Sequence, residues 1–108
     1  MNYNVRTTAS FEKQAKRLKK KFPSLKTELS ELISLLMKHP ETGTPLGHDC
    51  FKIRLAIASK GKGKSGGARV ITLVEIRETV ITLLYMYDKS EQSDTSDRAL
   101  LRLLNYTK

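Results

Sequence analysis

Two cations on one face of a predicted strand are the first candidates for chemistry. From Phe51 to Ile57 apolar residues alternate with Lys52 and Arg54, and this alternation predicts a half-buried strand with both cations on its other face. Two residues of strand rise separate the cations by about 7 Å, a gap that one phosphate could bridge. No acidic residue lies between Phe51 and Ile71, so we expect no local carboxylate to neutralise this face.

A glycine-rich loop at residues 60–67 follows that strand and carries Lys60, Lys62 and Lys64 but no acid. A Gly-Lys-Ser triplet in the loop suggests a phosphate-binding P-loop, but Ala58 stands where that motif needs glycine, and a strand is predicted to follow. We therefore interpret the segment as a flexible basic loop whose glycines permit close approach to a ligand backbone. A solvated hairpin loop is the alternative.

Aromatic and basic residues recur at period two near the end of the last predicted strand, at Tyr85, Tyr87 and Lys89. Aromatic rings beside cations suit unstacked RNA bases and their phosphates. A core position is the favoured alternative for Tyr85, so Tyr87 and Lys89 at the strand end are the better candidates. Arg69 begins an otherwise apolar strand, and because an unpaired guanidinium is costly to bury, we expect it to emerge at a site.

Other reactive residues form no recognisable constellation. The single cysteine, Cys50, cannot form an internal disulfide, and with His39 and His48 it shows no zinc-binding spacing. His48 and Asp49 are considered as an acid/base pair but disfavoured, because adjacent residues before a strand point in different directions. We expect a buried structural thiol at Cys50.

The net charge of +9 is concentrated in the first two thirds of the chain. Residues 1–38 carry nine Lys/Arg against three acids and residues 39–69 carry six against two, whereas residues 70–108 carry five against six. A basic distribution of this kind indicates a polyanion or an acidic protein as partner. The chain shows no apolar run typical of a membrane span or signal peptide, so we expect a cytoplasmic protein without membrane contact.

The first half of the chain predicts a strand and a helical hairpin within a single domain, residues 1–108. Asn2–Thr7 is the predicted strand, and Ser10 is placed to cap the first helix. Apolar residues recur at helical spacing through residues 11–22. Pro23 is placed to start a second helix, which must stop before Pro40.

The second half predicts a loop at residues 41–49, three strands and a last helix. The strands are Phe51–Ile57, Ala68–Ile76 and Thr79–Tyr87, and Ser93 or Asp94 is placed to cap the helix. The order β-α-α-β-β-β-α predicts an α+β fold, with a helical hairpin on one face of a mostly antiparallel four-stranded sheet. We expect all helices on that face, which leaves Lys52 and Arg54 on the open one.

Three motifs in this order resemble the RelE/ParE superfamily of bacterial toxins, most closely its RelE and HigB branch. They are FKIRL at 51–55, GKSGGARVI at 63–71 and YMYDKSE at 85–91. The resemblance implies a RelE-like fold and a toxin of a type II toxin–antitoxin system. It further implies an endoribonuclease that cuts messenger RNA in the ribosomal A site without a metal or cofactor and is silenced by a cognate antitoxin.

The resemblance also implies roles for individual residues. Lys52 would accept the proton of the attacking 2′-hydroxyl, provided that neighbouring cations favour its neutral amine. Arg54 and Arg69 would hold the phosphate. Lys64 is similar to the loop lysine of HigB-like members, and Lys89 to the lysine of their Tyr-x-Lys motif. From the loop and strand patterns, rather than from the resemblance, Lys60, Lys62, Lys64 and Tyr85 are expected to contact RNA.

Departures from the family pattern leave one role open. Ser90 occupies the place of a second catalytic arginine, Ser96 lies near the place of a functional tyrosine, and Ala68 replaces a common aromatic residue. The group that protonates the leaving oxygen is therefore unassigned, with Lys89 and Tyr87 as candidates.

Two other functions are compatible with the same pattern. The ParE branch shares the fold but poisons DNA gyrase, and a catalytically silent RNA-binding module would carry the same basic surface. The cluster of Lys52, Arg54 and Arg69 favours the nuclease. We expect a toxin–antitoxin hetero-oligomer whose antitoxin is DNA-binding and acidic where it wraps the toxin. The antitoxin could cover the face of Lys52 and Arg54 directly or bind the lysine-rich first helix. The helix, alternatively a solvated surface, is the expected docking site.

Overall fold

The computed structural model describes residues 2–61, 63–92 and 94–105 and has an α+β fold. The strands form one sheet in the order β1-β5-β4-β3-β2, in which β1 and β5 are parallel and the other neighbours antiparallel. The predicted fold class is confirmed. In chain order the elements are β1 (Asn4–Thr7), α1 (Ala9–Lys21), α2 (Leu25–Lys38), β2 (Thr44–Gly47), β3 (Cys50–Leu55), a 3-10 turn (Ala58–Lys60), α3 (Gly63–Gly66), β4 (Ala68–Glu75), β5 (Val80–Asp88) and α4 (Asp97–Asn105).

The helical hairpin of α1 and α2 packs on one face of the sheet, as predicted, and we call this face the hairpin face. Phe11, Ala15 and Leu18 of α1 join four leucines of α2 and inward residues of β3, β4 and β5 in one apolar core. Helical spacing of these residues gives each helix one apolar stripe, which the sheet buries. Within the described residues, no helix has the length and apolarity needed to cross a bilayer.

The caps of the hairpin differ from the prediction. Thr8, not Ser10, caps α1: its Oγ1 accepts the Phe11 N–H at 3.0 Å and donates to the Leu84 carbonyl at 2.7 Å. Leu84 lies at an irregularity of β5 where the β4–β5 register shifts. The cap therefore joins α1 to a bulge of the sheet, a tertiary contact that selects Thr8. The second helix begins at Leu25 rather than at Pro23.

Strand β2 is a fifth strand in the segment that was predicted to be a loop, so the four-strand count was wrong. Thr44–Gly47 pairs with β3 at the sheet edge. Pro45 and the glycines suggested a loop, but an edge strand tolerates proline because one side of its backbone forms no ladder. His48 and Asp49 make the connecting turn with φ of 55° and 62°, the left-handed conformation of tight hairpin turns.

Helix α4 packs on the face opposite the hairpin, so the expectation that all helices share one face was wrong. Leu100 of α4 is buried with Ile71 and Tyr87 of the sheet. Because the hairpin already covers the other face, the leucine stripe of α4 can be buried only here. Ser96 caps α4, its Oγ accepting the Ala99 N–H at 3.1 Å. The predicted cap Asp94 lies earlier, and Ser93 lies outside the described residues.

Candidate functional site

The strand register brings the predicted site residues of β3, β4 and β5 together on the face that carries α4, the α4 face. Arg54 lies opposite Arg69, which lies opposite Tyr87. In the adjacent row Lys52 and Tyr85 flank the same β4 residue. Directly opposite residues on one face have Cβ atoms about 5 Å apart. The two rows therefore place three cations and two aromatic rings within reach of one ligand.

Arg69 is buried, with 5% of its surface exposed, so the expectation that it emerges from the sheet was wrong. Its Nη1 donates to the carbonyls of Lys64 (2.7 Å) and Ala68 (3.1 Å), and its Nη2 donates to the Ser65 carbonyl (3.3 Å). These bonds make its burial tolerable. They use three of the five N–H groups of a guanidinium. In the described part of the chain no carboxylate forms an ion pair with it.

The glycine-rich segment is folded rather than an open loop. Residues Gly63–Gly66 form the short helix α3, and its carbonyls face Arg69. A Cβ on Gly67 would lie 2.1 Å from the Leu55 carbonyl oxygen, so only glycine allows the chain to pass this close to β3. The Gly67 carbonyl accepts the Lys89 N–H at 3.0 Å. Lys64 is exposed on α3, whereas Lys62 lies outside the described residues.

Lys60 is not the exposed loop cation that its position in the sequence predicts. Its side chain is 8% exposed, and its ammonium pairs with the carboxylate of Asp88, which is fully buried. The Ser90 Oγ lies 3.1 Å from the same ammonium. Burial opposes ionisation of Asp88, but hydrogen bonds from Lys60 and Ser90 outweigh it, so the pKa of Asp88 lies below its ordinary value. Lys60 therefore has a structural role, and we no longer assign it to RNA.

Lys52 forms an ion pair, which the sequence gave no reason to expect. Its Nζ lies 2.8 Å from Oδ1 of Asp94, a residue 42 positions away in the segment before α4. Hydrogen bonds from Lys52 and from the Thr95 N–H lower the pKa of Asp94. Asp94 thus places a carboxylate where the predicted site would receive an anion, and an incoming phosphate must displace it.

The two tyrosines are adjacent, but their order of exposure is the reverse of the prediction. The ring centroids of Tyr85 and Tyr87 lie 6.2 Å apart. Tyr87, predicted to be the more accessible, is 3% exposed, and its buried hydroxyl has no hydrogen-bond partner in the described residues. Tyr85 and Lys89 are half-buried. Buried hydroxyls are usually hydrogen-bonded, so the Tyr87 hydroxyl is a polar group in the row of Arg69 that the described residues leave unsatisfied.

The basic surface of α1 lies on the exposed side of the hairpin and contacts the segment after β5. Arg17 binds Glu91 through two bonds, of 2.7 and 3.0 Å, and the Lys21 ammonium lies 3.7 Å from the same carboxylate. Hydrogen bonding from Arg17 lowers the pKa of Glu91. Lys13, Lys16 and Lys20 are exposed beside this pair. Part of the lysine-rich helix is therefore neutralised within the fold.

The histidines and the cysteine take no part in this arrangement. His48 and Asp49 lie in the turn between β2 and β3, and burial raises the pKa of the Cys50 thiol to about 11. Across residues 2–61, 63–92 and 94–105 no three His, Cys, Asp or Glu side chains are grouped so that they could hold a metal ion.

Comparison with known proteins identifies the family. The family model described as the RelE toxin of the RelE/RelB toxin–antitoxin system matches residues 4–108. A variant of the Escherichia coli toxin RelE in the free state is similar in fold, with a TM-score of 0.62 and 18% identity over 86% of this chain and 90% of that chain.

Two toxin–antitoxin complexes also contain chains of similar fold. The match to the intact E. coli RelBE complex has a TM-score of 0.61 and 17% identity, covering 80% of this chain and 95% of that one. The match to the RelBE complex of Mycobacterium tuberculosis has a TM-score of 0.58 and 16% identity, covering 82% and 92%. These identities establish the fold alone, whereas the family model spans nearly the whole sequence, and the chain therefore belongs to the RelE toxin family.

Proposed function

We propose that this toxin is an endoribonuclease that cuts messenger RNA on the ribosome and thereby stops translation. The observation that carries the proposal is the row formed by Arg54 and Arg69 beside Lys52 on the α4 face. Arg69 is buried and has no carboxylate partner among the described residues, and two of its five N–H groups form no hydrogen bond within that part of the chain. A buried guanidinium in this state is a site for an anion such as an RNA phosphate.

The chemistry requires three tasks that these side chains can perform. The ribose 2′-oxygen attacks the adjacent phosphorus and gives up its proton, the 5′-oxygen leaves with a proton, and a 2′,3′-cyclic phosphate remains. We assign proton acceptance to Lys52 once its ion pair with Asp94 is broken. Arg54 and Arg69 stabilise the added charge on the phosphate oxygens.

Protonation of the leaving oxygen falls to Tyr87 or Lys89. The Tyr87 hydroxyl lies in the row of Arg69 and has no partner in the part of the chain described, which favours Tyr87. Tyr85 is placed to stack on an RNA base, and Lys64 on α3 is placed to contact a neighbouring phosphate. Lys62 is retained as a proposed RNA contact from the sequence alone.

An antitoxin is the proposed protein partner in the cytoplasm. The E. coli and M. tuberculosis structures of similar fold are toxin–antitoxin complexes, and the net charge of +9 favours an acidic wrapping segment. Lys13, Lys16 and Lys20 on α1 offer it an exposed basic surface. We propose that the antitoxin also binds DNA, as expected from the family resemblance.

The function is tested with purified ribosomes programmed with a defined message. We expect the toxin to cut the message at the A-site codon, to leave a 2′,3′-cyclic phosphate, and to cut the same RNA much more slowly without ribosomes. Mass spectrometry of the fragments measures the end group. An intact message together with gyrase-dependent DNA breaks would replace this assignment with gyrase poisoning. RNA binding without cleavage would indicate the silent binding module.

Replacing Asp94 by asparagine is expected to tighten binding of a non-cleavable RNA fragment about 2- to 5-fold, since exposed ion pairs contribute little individually. The substitution removes the carboxylate that competes with a phosphate for Lys52. Asp97→Asn is the matched control, because it makes the same charge change at the start of α4 without a bond to Lys52. Equal gains in affinity for both variants, measured by fluorescence anisotropy, would show a general charge effect instead.

A further inference from the structure

A buried ion pair joins the end of β5 to the start of the glycine-rich segment. The Asp88 Oδ1 accepts the Lys60 ammonium, the Ser90 N–H at 3.0 Å and the Ser90 hydroxyl at 2.9 Å. Its Oδ2 has no hydrogen-bond partner in the described residues, and the Lys21 ammonium lies 3.8 Å away. This is the most buried carboxylate of the described chain, and none of the catalytic steps above uses it.

Lys60 connects Asp88 to the glycine-rich segment, whose carbonyls bind Arg69. It ends the 3-10 turn, where its N–H donates to the Ile57 carbonyl at 2.9 Å, and its ammonium lies 5.7 Å from the centre of the Phe22 ring. The side chain is therefore held between β5 and the end of α1. The chain then continues into α3, whose carbonyls accept the Arg69 guanidinium.

The end of β5 holds the other end of the same segment. The Lys89 N–H donates to the Gly67 carbonyl at 3.0 Å. Asp88 and Lys89, neighbours in sequence, thus fix the segment at Lys60 and at Gly67, on either side of the carbonyls that orient Arg69. A change at either attachment alters where those carbonyls lie.

We propose that Asp88 is a positioning residue of the site: through Lys60 it fixes the glycine-rich segment in the conformation that orients the Arg69 guanidinium toward the RNA phosphate. This inference rests on the proposed function for its substrate, but the orientation of Arg69 is a property of the free protein. Burying an ion pair costs desolvation free energy, and an apolar pair of similar volume is often as stable. Stability alone therefore gives no reason for a charged pair here, whereas orientation of the segment does.

The test compares Asp88→Asn with a double variant, Lys60→Met with Asp88→Asn, which keeps the net charge of the parent. Side-chain NMR of Arg69 in the free protein is the first readout. We expect its Nη–H signals, from the groups that donate to the Lys64, Ala68 and Ser65 carbonyls, to shift in both variants. These groups should exchange with solvent about 10-fold faster or more, the factor expected on losing one hydrogen bond to a charged group. Glu91→Gln is the control, because it removes a carboxylate three residues away that binds Arg17 and not Lys60.

Affinity for a 2′-O-methylated RNA trinucleotide is the second readout. We expect both variants to bind about 10-fold more weakly, again the value of one charge-assisted hydrogen bond. Removing a negative charge should by itself favour RNA, so Glu91→Gln should bind as tightly as the parent or more tightly. A loss of affinity in Asp88→Asn would therefore be opposite in sign to the charge effect, and would indicate that the Arg69 guanidinium is no longer correctly placed.

The outcomes separate this proposal from the proposed function. If the double variant has the Arg69 signal and exchange rate of the parent, Asp88 does not position Arg69, even if the protein melts at a lower temperature. If Asp88→Asn does not fold, the double variant decides, because it leaves no buried cation without a partner. If the parent neither binds nor cuts RNA, the nuclease assignment fails while the Arg69 signal still tests the positioning.

Discussion

Arg69→Lys is expected to slow message cleavage by about 10²- to 10³-fold, the usual effect of removing one donor that stabilises transition-state charge. Lysine keeps the charge but lacks the planar fork, so it cannot bind the Lys64 and Ser65 carbonyls and a phosphate at the same time. Single-turnover cleavage on programmed ribosomes measures the rate. Growth after induced expression should recover in parallel, because translation would continue.

Arg77→Lys is the matched control for this substitution. Arg77 is exposed in the turn between β4 and β5, far along β4 from Arg69, and the same chemical change there should leave the rate within about 2-fold, as is usual for surface substitutions. Thermal unfolding establishes that both variants are folded at the assay temperature. A rate for Arg69→Lys equal to that of the parent would remove Arg69 from the site.

Gly67→Ala is expected to lower the free energy of unfolding by about 3 kcal/mol or more, the upper range for inserting a methyl group into a filled space. The new Cβ would lie 2.1 Å from the Leu55 carbonyl oxygen and 3.1 Å from the Ala56 Cα. Both atoms belong to the backbone, so relief requires β3 and β4 to move apart at the point where Arg54 lies opposite Arg69. Urea unfolding followed by circular dichroism measures the change.

Gly61→Ala provides the comparison, since the two glycines belong to the same segment. Gly61 has φ of +76°, and among the described residues other than its chain neighbours nothing lies within 4 Å of an added Cβ, so alanine there meets only the left-handed backbone penalty of about 1 to 2 kcal/mol. The loss of stability in Gly67→Ala should therefore be larger than in Gly61→Ala, because it comes mainly from the backbone contact and not from replacing a glycine as such. Equal losses of stability in the two variants would contradict the close approach to Leu55.

Local periodicity was sufficient to predict the helical hairpin and the strands β3, β4 and β5, together with the faces of their alternating site residues. Alternation from Phe51 to Leu55 placed Lys52 and Arg54 on one side of β3, and the spacing of Tyr85 and Tyr87 placed both rings on one side of β5. These predictions succeeded because the pleat assigns successive side chains to opposite faces, whatever else the chain does. The helical hairpin followed from its apolar stripes, because residues three and four positions apart lie on one face of a helix.

Burial and charge pairing at the site were decided only by the tertiary structure. Asp94 reaches Lys52 across 42 residues, and Asp88 reaches Lys60 across 28. Neither ion pair can be predicted from local residue spacing, because a carboxylate next to turn residues could equally well face solvent. The carbonyls of α3 that allow Arg69 to be buried depend likewise on how the glycine-rich segment folds back on the sheet.

The side of the sheet on which α4 packs was likewise decided only by the tertiary structure. Its leucine stripe, including Leu100, predicted an amphipathic helix, but an apolar stripe specifies only that it must be covered and not by which surface. The hairpin fills one face, so α4 packs on the other beside Tyr87, and the segment before α4 brings Asp94 to Lys52. The sequence by itself thus determined which cations and rings share a face, whereas the competition for buried surface determined which of them meet solvent.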